Sequence, residues 1–272
     1  MTSAVWRDGA AYEAYVGRWS RLVAVEFLRW LDLPPGLRWF DVGSGTGVLT
    51  STVLRTAQPR QVTGVDPSVG FVRQARAEVT DPRAGFAVGD ARVLPLPGRA
   101  VDVVVSGLVL NFVPEPALAA AEFARVVAPG GTVAAYVWDY AEGMAMMRHF
   151  WDAAAALDPA AAARDDWQRF ALCRPEPLRT LWTDAGLTDV SVQALAVPTV
   201  FTDFTDYWTP FLGGQGSAPG YLASLTGSQR TALRDLLATR LPTEPDGSIR
   251  LTARAWAVRG VPATGTVPST KH

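Results

Sequence analysis

Apolar positions along the chain switch between two spacings. From about Ala10 to Leu31 they recur every three or four residues. Tyr12, Tyr15, Val16, Trp19, Leu22, Val23, Phe27, Trp30 and Leu31 share one stripe, which predicts an amphipathic helix with Asp8 as its cap. Pro34-Pro35-Gly36 ends it. From there to about Tyr140, short apolar runs alternate with helix-like windows. The runs Leu37–Val42, Gln61–Val65, Ala84–Val88, Val101–Val105 and Thr132–Trp138 predict strands, nearly continuous in apolar character as strands covered on both faces are. Windows at Gly47–Ala57, Ser68–Val79 and Glu115–Val127 predict the helices between most of them. Alternation of this kind is the pattern of a doubly wound α/β sheet.

The second half is less regular. Met144–Leu157 reads as a helix, and the alanine-rich stretch Asp158–Ala163, with no apolar face, as a surface helix or a mobile segment. Leu178, Leu181, Trp182 and Ala185 form a helical stripe closed by Gly186. A strand is predicted over Asp189–Phe201. Helical pieces follow over Asp203–Leu241, with breaks at Gly213-Gly214 and Pro219-Gly220 and a capping box of Thr226 and Gln229. In the last strand, Ile249–Val258, residues Ile249, Leu251, Ala253, Ala255 and Ala257 share one face. The polar tail from Gly265 is expected to fray.

Composition narrows the chemistry. The chain has 272 residues, 49% of them apolar, enough for one large domain, here expected over residues 1–262 with 263–272 as a flexible tail. Acidic and basic residues number 26 and 25, so no net charge draws the chain to nucleic acid or an anionic membrane. Lysine occurs only at Lys271, histidine only at His149 and His272, and cysteine only at Cys173. A Schiff-base or phosphate-binding lysine in the folded body, a His/Cys zinc site and an internal disulfide are therefore excluded, and no metal is expected. Neither a secretory pattern at the start nor an apolar run of about 18–20 residues is present, so a cytoplasmic protein is expected.

The informative stretch is Trp39-Phe40-Asp41-Val42-Gly43-Ser44-Gly45-Thr46-Gly47-Val48-Leu49, where a buried strand runs through three glycines into a helix. Glycines let a turn take unusual dihedrals and let backbone touch a ligand, and a helix start offers free amides. Asp66 and Asp90 end the next two strands, so three successive strand ends carry a carboxylate at the crevice where such sheets bind ligands. Asp66 suits the two hydroxyls of a ribose. A dinucleotide pyrophosphate prefers the spacing G-x-G-x-x-G, whereas the third glycine here comes one residue early. Asp41 would also repel a phosphate but could take an ammonium. A nucleoside bearing an amino-acid tail fits better, which describes S-adenosyl-L-methionine.

Asp41-Val42-Gly43-Ser44-Gly45-Thr46-Gly47, Gly64-Val65-Asp66-Pro67-Ser68, and Gly89-Asp90-Ala91 with Leu94-Pro95-Leu96-Pro97 resemble the class I S-adenosylmethionine-dependent methyltransferases. The nearest branch is the small-molecule one similar to ubiquinone and menaquinone biosynthesis enzymes. Phe123–Gly131 and Tyr15–Ser20 extend the likeness, which is strong from about Ala10 to Tyr140. It implies a Rossmann-like seven-stranded sheet of order 3-2-1-4-5-7-6 with the last strand antiparallel. Residues 1–36 would be a helical cover, with lid insertions at 141–174 and 203–246. It also implies that Gly43, Gly45 and Gly47 face the methionine part and that Asp66 holds the ribose, with Pro67 or Ser68 against adenine. Asp90 and the Ala91 backbone would take the adenine amine, and Ser106 and Gly107 would pass near the sulfonium. Arg18 is a candidate for the cofactor carboxylate, and equally a surface arginine on an amphipathic helix.

Methyl transfer from a sulfonium needs nucleophile, carbon and sulfur in line, mostly a matter of positioning. Trp19, Trp138, Trp151, Trp167 and Trp208 read first as core and jointly as an aromatic lid, favouring a small, largely apolar acceptor methylated at O, N or C. His149 is a weak candidate for a general base, because its amphipathic segment also suits half-buried packing. Asn111, Asp139, Tyr140 and Glu142 are polar groups near the expected rim, without an assigned role. Two other readings stay open: an NAD(P)-dependent oxidoreductase, and a subunit that binds the cofactor without transferring methyl.

Overall fold

The computed structural model describes residues 17–165, 170–213 and 216–263. The predicted helix before residue 17 with its Asp8 cap, Trp167, and the tail beyond residue 263 lie outside the described residues. Seven strands form one sheet in the order β3-β2-β1-β4-β5-β7-β6, with antiparallel geometry confined to its last strands. The strands are β1 Arg38–Val42, β2 Gln61–Asp66, β3 Ala84–Val88, β4 Val101–Gly107, β5 Val127–Trp138, β6 Leu187–Phe201 and β7 Ile249–Pro262. β1 pairs in parallel with both β2 and β4, so its carboxyl end, where Asp41 sits, is flanked on both sides. β2 pairs with β3 in parallel and sets Asp66 opposite Val88.

By contact pattern the chain gathers into two compact units. One comprises Leu31–Tyr136, Glu176–Gln193 and the chain from Ala257; the other comprises the chain up to Trp30, Val137–Pro175 and Ala194–Trp256. The first unit is centred on β1 and β4, where Phe40, Val42, Val103, Val104 and Val105 are all fully buried. Asp102 interrupts that apolar run without cost to it. Its carboxylate accepts from the Arg38 amide at 2.8 Å and from the Arg38 guanidinium at 2.7 and 3.0 Å, tying β1 to β4. Helices α2 (Val48–Thr56), α3 (Val69–Glu78) and α4 (Pro116–Val126) follow β1, β2 and β4 as the spacing predicts.

The second unit holds α1 (Arg18–Leu31), α5 (Ala145–Leu157) and the short helices after β6. Of the tryptophans expected in the lid, the four among the described residues, Trp19, Trp138, Trp151 and Trp208, are all buried. Phe150 stacks on Phe211 at 4.6 Å and meets Trp151 and Tyr221 edge-on. The Tyr207 hydroxyl donates to the Met146 carbonyl at 2.8 Å.

Several boundaries differ from the sequence reading: β5 starts at Val127 rather than Thr132, and β7 runs on to Pro262. Pro219-Gly220 does not break the chain, because a helix runs through it from Ser217 to Ser224. The proline falls in the first turn, where its missing N–H has no partner to lose. The alanine-rich stretch is a 3₁₀ helix, Pro159–Arg164, whose Ala160 amide donates to the Asp158 side chain at 3.0 Å and which buries Ala161. Helix Gly227–Arg240 carries the predicted Thr226/Gln229 capping box, and Gly186 has the left-handed φ of +80° expected after a helix. The predicted face of β7, Ile249 to Ala257 at alternate positions, is buried.

Candidate functional site

The loop between β1 and α2 is built by three left-handed glycines, with φ of 76° at Gly43, 53° at Gly45 and 88° at Gly47. Two of them are also hemmed in. A Cβ on Gly43 would lie 2.5 Å from the Val109 side chain, and one on Gly47 2.9 Å from Val79. Gly45 is different: a Cβ there would meet nothing within 4 Å, so the crest of the loop faces open space. The loop is fastened to β2 from below. Gly43 and Ser44 amides both donate to the Val65 carbonyl, at 2.8 and 3.0 Å. Gly47 precedes α2 without a side-chain cap.

Asp66, only 7% exposed, completes the fastening. One carboxylate oxygen accepts from the Gly45 amide at 3.0 Å and the other from the Ser68 amide at 2.8 Å. Burial raises its pKa, and those two amides oppose the shift. A carboxylate offers about four acceptor directions, so two remain after these bonds. Pro67 beside it is exposed, as is Val69.

Asp41 lies fully buried at the end of β1. Thr50, in the first turn of α2, donates its hydroxyl to one oxygen at 2.7 Å; the other oxygen is buried with no partner. Burial lifts this carboxyl from 3.8 to about 7, with Thr50 pulling down and the negative charge of Asp66 adding a small push up. The Ser44 hydroxyl and the Asn111 amide nitrogen are buried and unpartnered as well. Asn111 belongs to the turn after β4, the same turn whose Val109 packs on Gly43. Buried polar atoms without partners are uncommon in folded proteins.

Asp90 has a partner of its own, and the Gly89 amide just before it donates to the Asp66 carbonyl at 3.2 Å. Arg92 grips its carboxylate through Nε and Nη2, the latter at 2.7 Å, and donates its amide at 2.9 Å, so the Asp90 pKa is lowered. Arg92 is itself shared with Glu115 at 3.1 Å. Ala91 is half-buried; Ser106 is buried in β4 opposite Ala135, and Gly107 next to it packs against the Tyr136 hydroxyl.

Arg18 and His149 belong to the other unit. Arg18 is no free surface arginine: its guanidinium pairs with Asp206 at 2.9 Å and lies over the Trp19 and Phe201 rings. His149 is half-buried on α5, where burial lowers its pKa against a weak opposing pull from Asp152. Of the rim groups, Asp139 is a buried fastener, accepting from Arg254 Nε at 2.7 Å and from the Ala141 and Glu142 amides. Asp139, Glu142, Arg174, Arg254 and Trp256 line an open cleft of about 490 Å³.

Thr50, Ser44 and Asn111 carry much of the geometry, and the sequence reading gave none of them a role. Thr50 left one signal, a hydroxyl on the buried side of α2. Among the described residues no helix is long and apolar enough to cross a membrane.

Residues 40–135 match a family described as a methyltransferase domain. The chain is 31% identical over 188 residues to 2-methyl-6-phytyl-1,4-hydroquinone methyltransferase of Synechocystis sp., covering 68% of this chain and 57% of that protein. It is 33% identical over 105 residues to demethylmenaquinone methyltransferase of Roseiflexus castenholzii, covering 38% and 44%. The chain thus spans less than two thirds of the length of these curated relatives. Phosphoethanolamine N-methyltransferase 2 of Haemonchus contortus, solved with S-adenosyl-L-methionine, shares the fold with a TM-score of 0.57 at 18% identity, covering 93% of this chain and 56% of that one. Because the matched segment runs from β1 to β5 and takes in the glycine loop, the chain belongs to the class I S-adenosylmethionine-dependent methyltransferases, with similarity to those of quinone biosynthesis.

Proposed function

We propose that the chain transfers a methyl group from S-adenosyl-L-methionine to oxygen, nitrogen or carbon of a small, largely apolar molecule. The observation that carries this reading is the loop crest at Gly45. It is held open by Asp66, and beneath the loop a buried Asp41 oxygen has no partner. These acceptors fit the cofactor. The unpartnered Asp41 oxygen suits an ammonium, the two spare directions of Asp66 suit two ribose hydroxyls, and Gly45 leaves room that a side chain would fill. A pyrophosphate fits poorly above a buried carboxylate, which argues against a nicotinamide dinucleotide.

When bound, the cofactor supplies an electrophilic methyl on a sulfonium whose departure leaves a neutral thioether. Residues of this chain would do the rest by holding and orienting. Gly43, Gly45 and Gly47 would present backbone to the amino-acid tail. Pro67 and Ser68 would flank adenine, with Asp90 and the Ala91 backbone toward its amine. Asp90 stays ionised because Arg92 holds it, so it can only accept. Ser106 and Gly107 would lie nearest the sulfur. An apolar acceptor is supported by the hydroquinone and demethylmenaquinone named for two relatives. His149 needs no part in the transfer on this reading.

Calorimetry with S-adenosylhomocysteine and with NAD, followed by incubation with methyl-labelled cofactor and a panel of hydroquinones, phenols and amines, tests the proposal. Saturable binding of S-adenosylhomocysteine with label passing to an organic acceptor is expected. Binding of NAD alone would overturn it.

A further inference from the structure

We propose that Arg92 gives the site its preference for an aminopurine over an oxopurine, by holding the Asp90 carboxylate in one orientation. This role rests on the reading above that Asp90 faces the adenine amine, and it adds a positioning residue to that reading. Asp90, Arg92 and Glu115 all belong to the unit that holds β1 and β4. Asp90 opens a tight turn in which the Val93 amide donates to its carbonyl at 3.1 Å. Within that turn the Arg92 amide donates to Asp90 Oδ1 at 2.9 Å, which pins one oxygen but leaves the carboxylate plane free to twist. The guanidinium removes that freedom. Nε lies between the two oxygens, at 3.1 and 3.2 Å, and Nη2 donates to Oδ2 at 2.7 Å. Nη1 donates the other way, to Glu115 at 3.1 Å just before α4, so the guanidinium is anchored at both ends.

A carboxylate offers about four acceptor directions, and three N–H groups of Arg92 occupy three of them. About one is left, enough for a single donor such as an exocyclic amine. Arg92 also lowers the Asp90 pKa, so the carboxyl keeps no proton with which to meet an oxygen. A purine carrying a carbonyl in place of the amine brings oxygen against oxygen, and a carboxylate that cannot turn aside rejects it. Fixing the acceptor thus serves rejection as much as binding. The network itself adds little to the fold, because the side chains of Asp90, Arg92 and Glu115 are 46%, 33% and 64% exposed. Removing Arg92 therefore leaves a folded protein in which specificity can be read.

The full chain is titrated by calorimetry with S-adenosylhomocysteine and with S-inosylhomocysteine, in which oxygen replaces the purine amine. Arg92→Met removes the grip and keeps an apolar stem. In that variant S-adenosylhomocysteine should bind more weakly while S-inosylhomocysteine binds no more weakly than to wild type. The ratio of the two affinities should fall about tenfold, the worth of one well-placed charge-assisted hydrogen bond. Arg92→Lys keeps the positive charge without the fork and should lose the preference to the same extent. Both variants should melt within about 2 °C of wild type. A loop that had merely loosened would weaken both ligands by the same factor and leave the ratio where it was. A ratio that stays or rises in either variant overturns the role given to Arg92. Failure of S-adenosylhomocysteine to bind the wild-type chain would instead remove the methyl-transfer reading, and this role with it.

Discussion

Replacing Asp41 by asparagine should make the ligand-free protein more stable and the cofactor bind less well. The carboxyl is fully buried, with one oxygen on Thr50 and the other on nothing, and burial lifts its pKa from 3.8 to about 7. A folded-state pKa above the unfolded one means that the folded chain holds the proton more tightly. Stability is then greatest below about pH 4, falls as pH rises through the interval, and is fully reduced above about pH 7. The displacement corresponds to about 4 kcal/mol at pH 8, as an upper figure. Asparagine keeps an acceptor for Thr50 but brings a buried NH₂ that needs partners, which takes back roughly half. A net gain of about 2 kcal/mol is expected at pH 8, a rise in Tm of about 4–8 °C. Thermal melts of both proteins from pH 4 to 8, without cofactor, should show the gap opening with pH. Calorimetry at pH 8 should show S-adenosylhomocysteine binding about tenfold weaker in the variant, as loss of one ion pair with an ammonium implies. If Asp41→Asn melts lower than wild type at pH 8, with a gap that ignores pH, then the carboxylate serves the fold and not the ligand.

Other outcomes follow from the same geometry. Gly43→Ala should cost about 2–4 kcal/mol in denaturant unfolding, because it adds a left-handed φ penalty to a clash with Val109, a packed side chain. Gly45→Ala should cost only about 1 kcal/mol yet weaken S-adenosylhomocysteine at least tenfold, since its methyl enters the open space above the loop. Asp66→Ala should lower both stability and affinity, by about 1–3 kcal/mol each, as the Gly45 and Ser68 amides lose their acceptor along with the ribose. His149→Gln should leave turnover within about threefold once an acceptor is known; a hundredfold loss, with a pH profile that changes shape, would place His149 in proton transfer.

What the sequence made legible is what periodicity and backbone constraint write locally. β4 is a nearly continuous apolar run because both faces of the sheet are covered there, and Gly43 and Gly47 had to be glycines because a left-handed backbone and a clash with Val109 or Val79 both oppose a side chain. Asp66 was legible because its place, the last residue of a strand, follows from where the run stops. Pro219-Gly220 misled because proline breaks a helix only past the first turn, and one residue of offset decides which case holds. For Arg18 the sequence left two readings open, a cofactor-carboxylate candidate and a surface arginine, and its contact with Phe201 was illegible because it comes from more than 180 residues away.

Asp41 shows where the boundary between fold and function lies. Its position before the glycines gave it a charge argument, that a carboxylate there repels phosphate, but the argument assumed ionisation. Burial pushes the pKa of this carboxyl up to about 7, with Asp66 disfavouring its charge. Such a group attracts an ammonium only by giving up its proton, so ligand binding and proton release are one event at this site. The buried Asp41 oxygen lacks a hydrogen-bond partner beneath an open loop crest, and on the reading proposed above the cofactor ammonium supplies it.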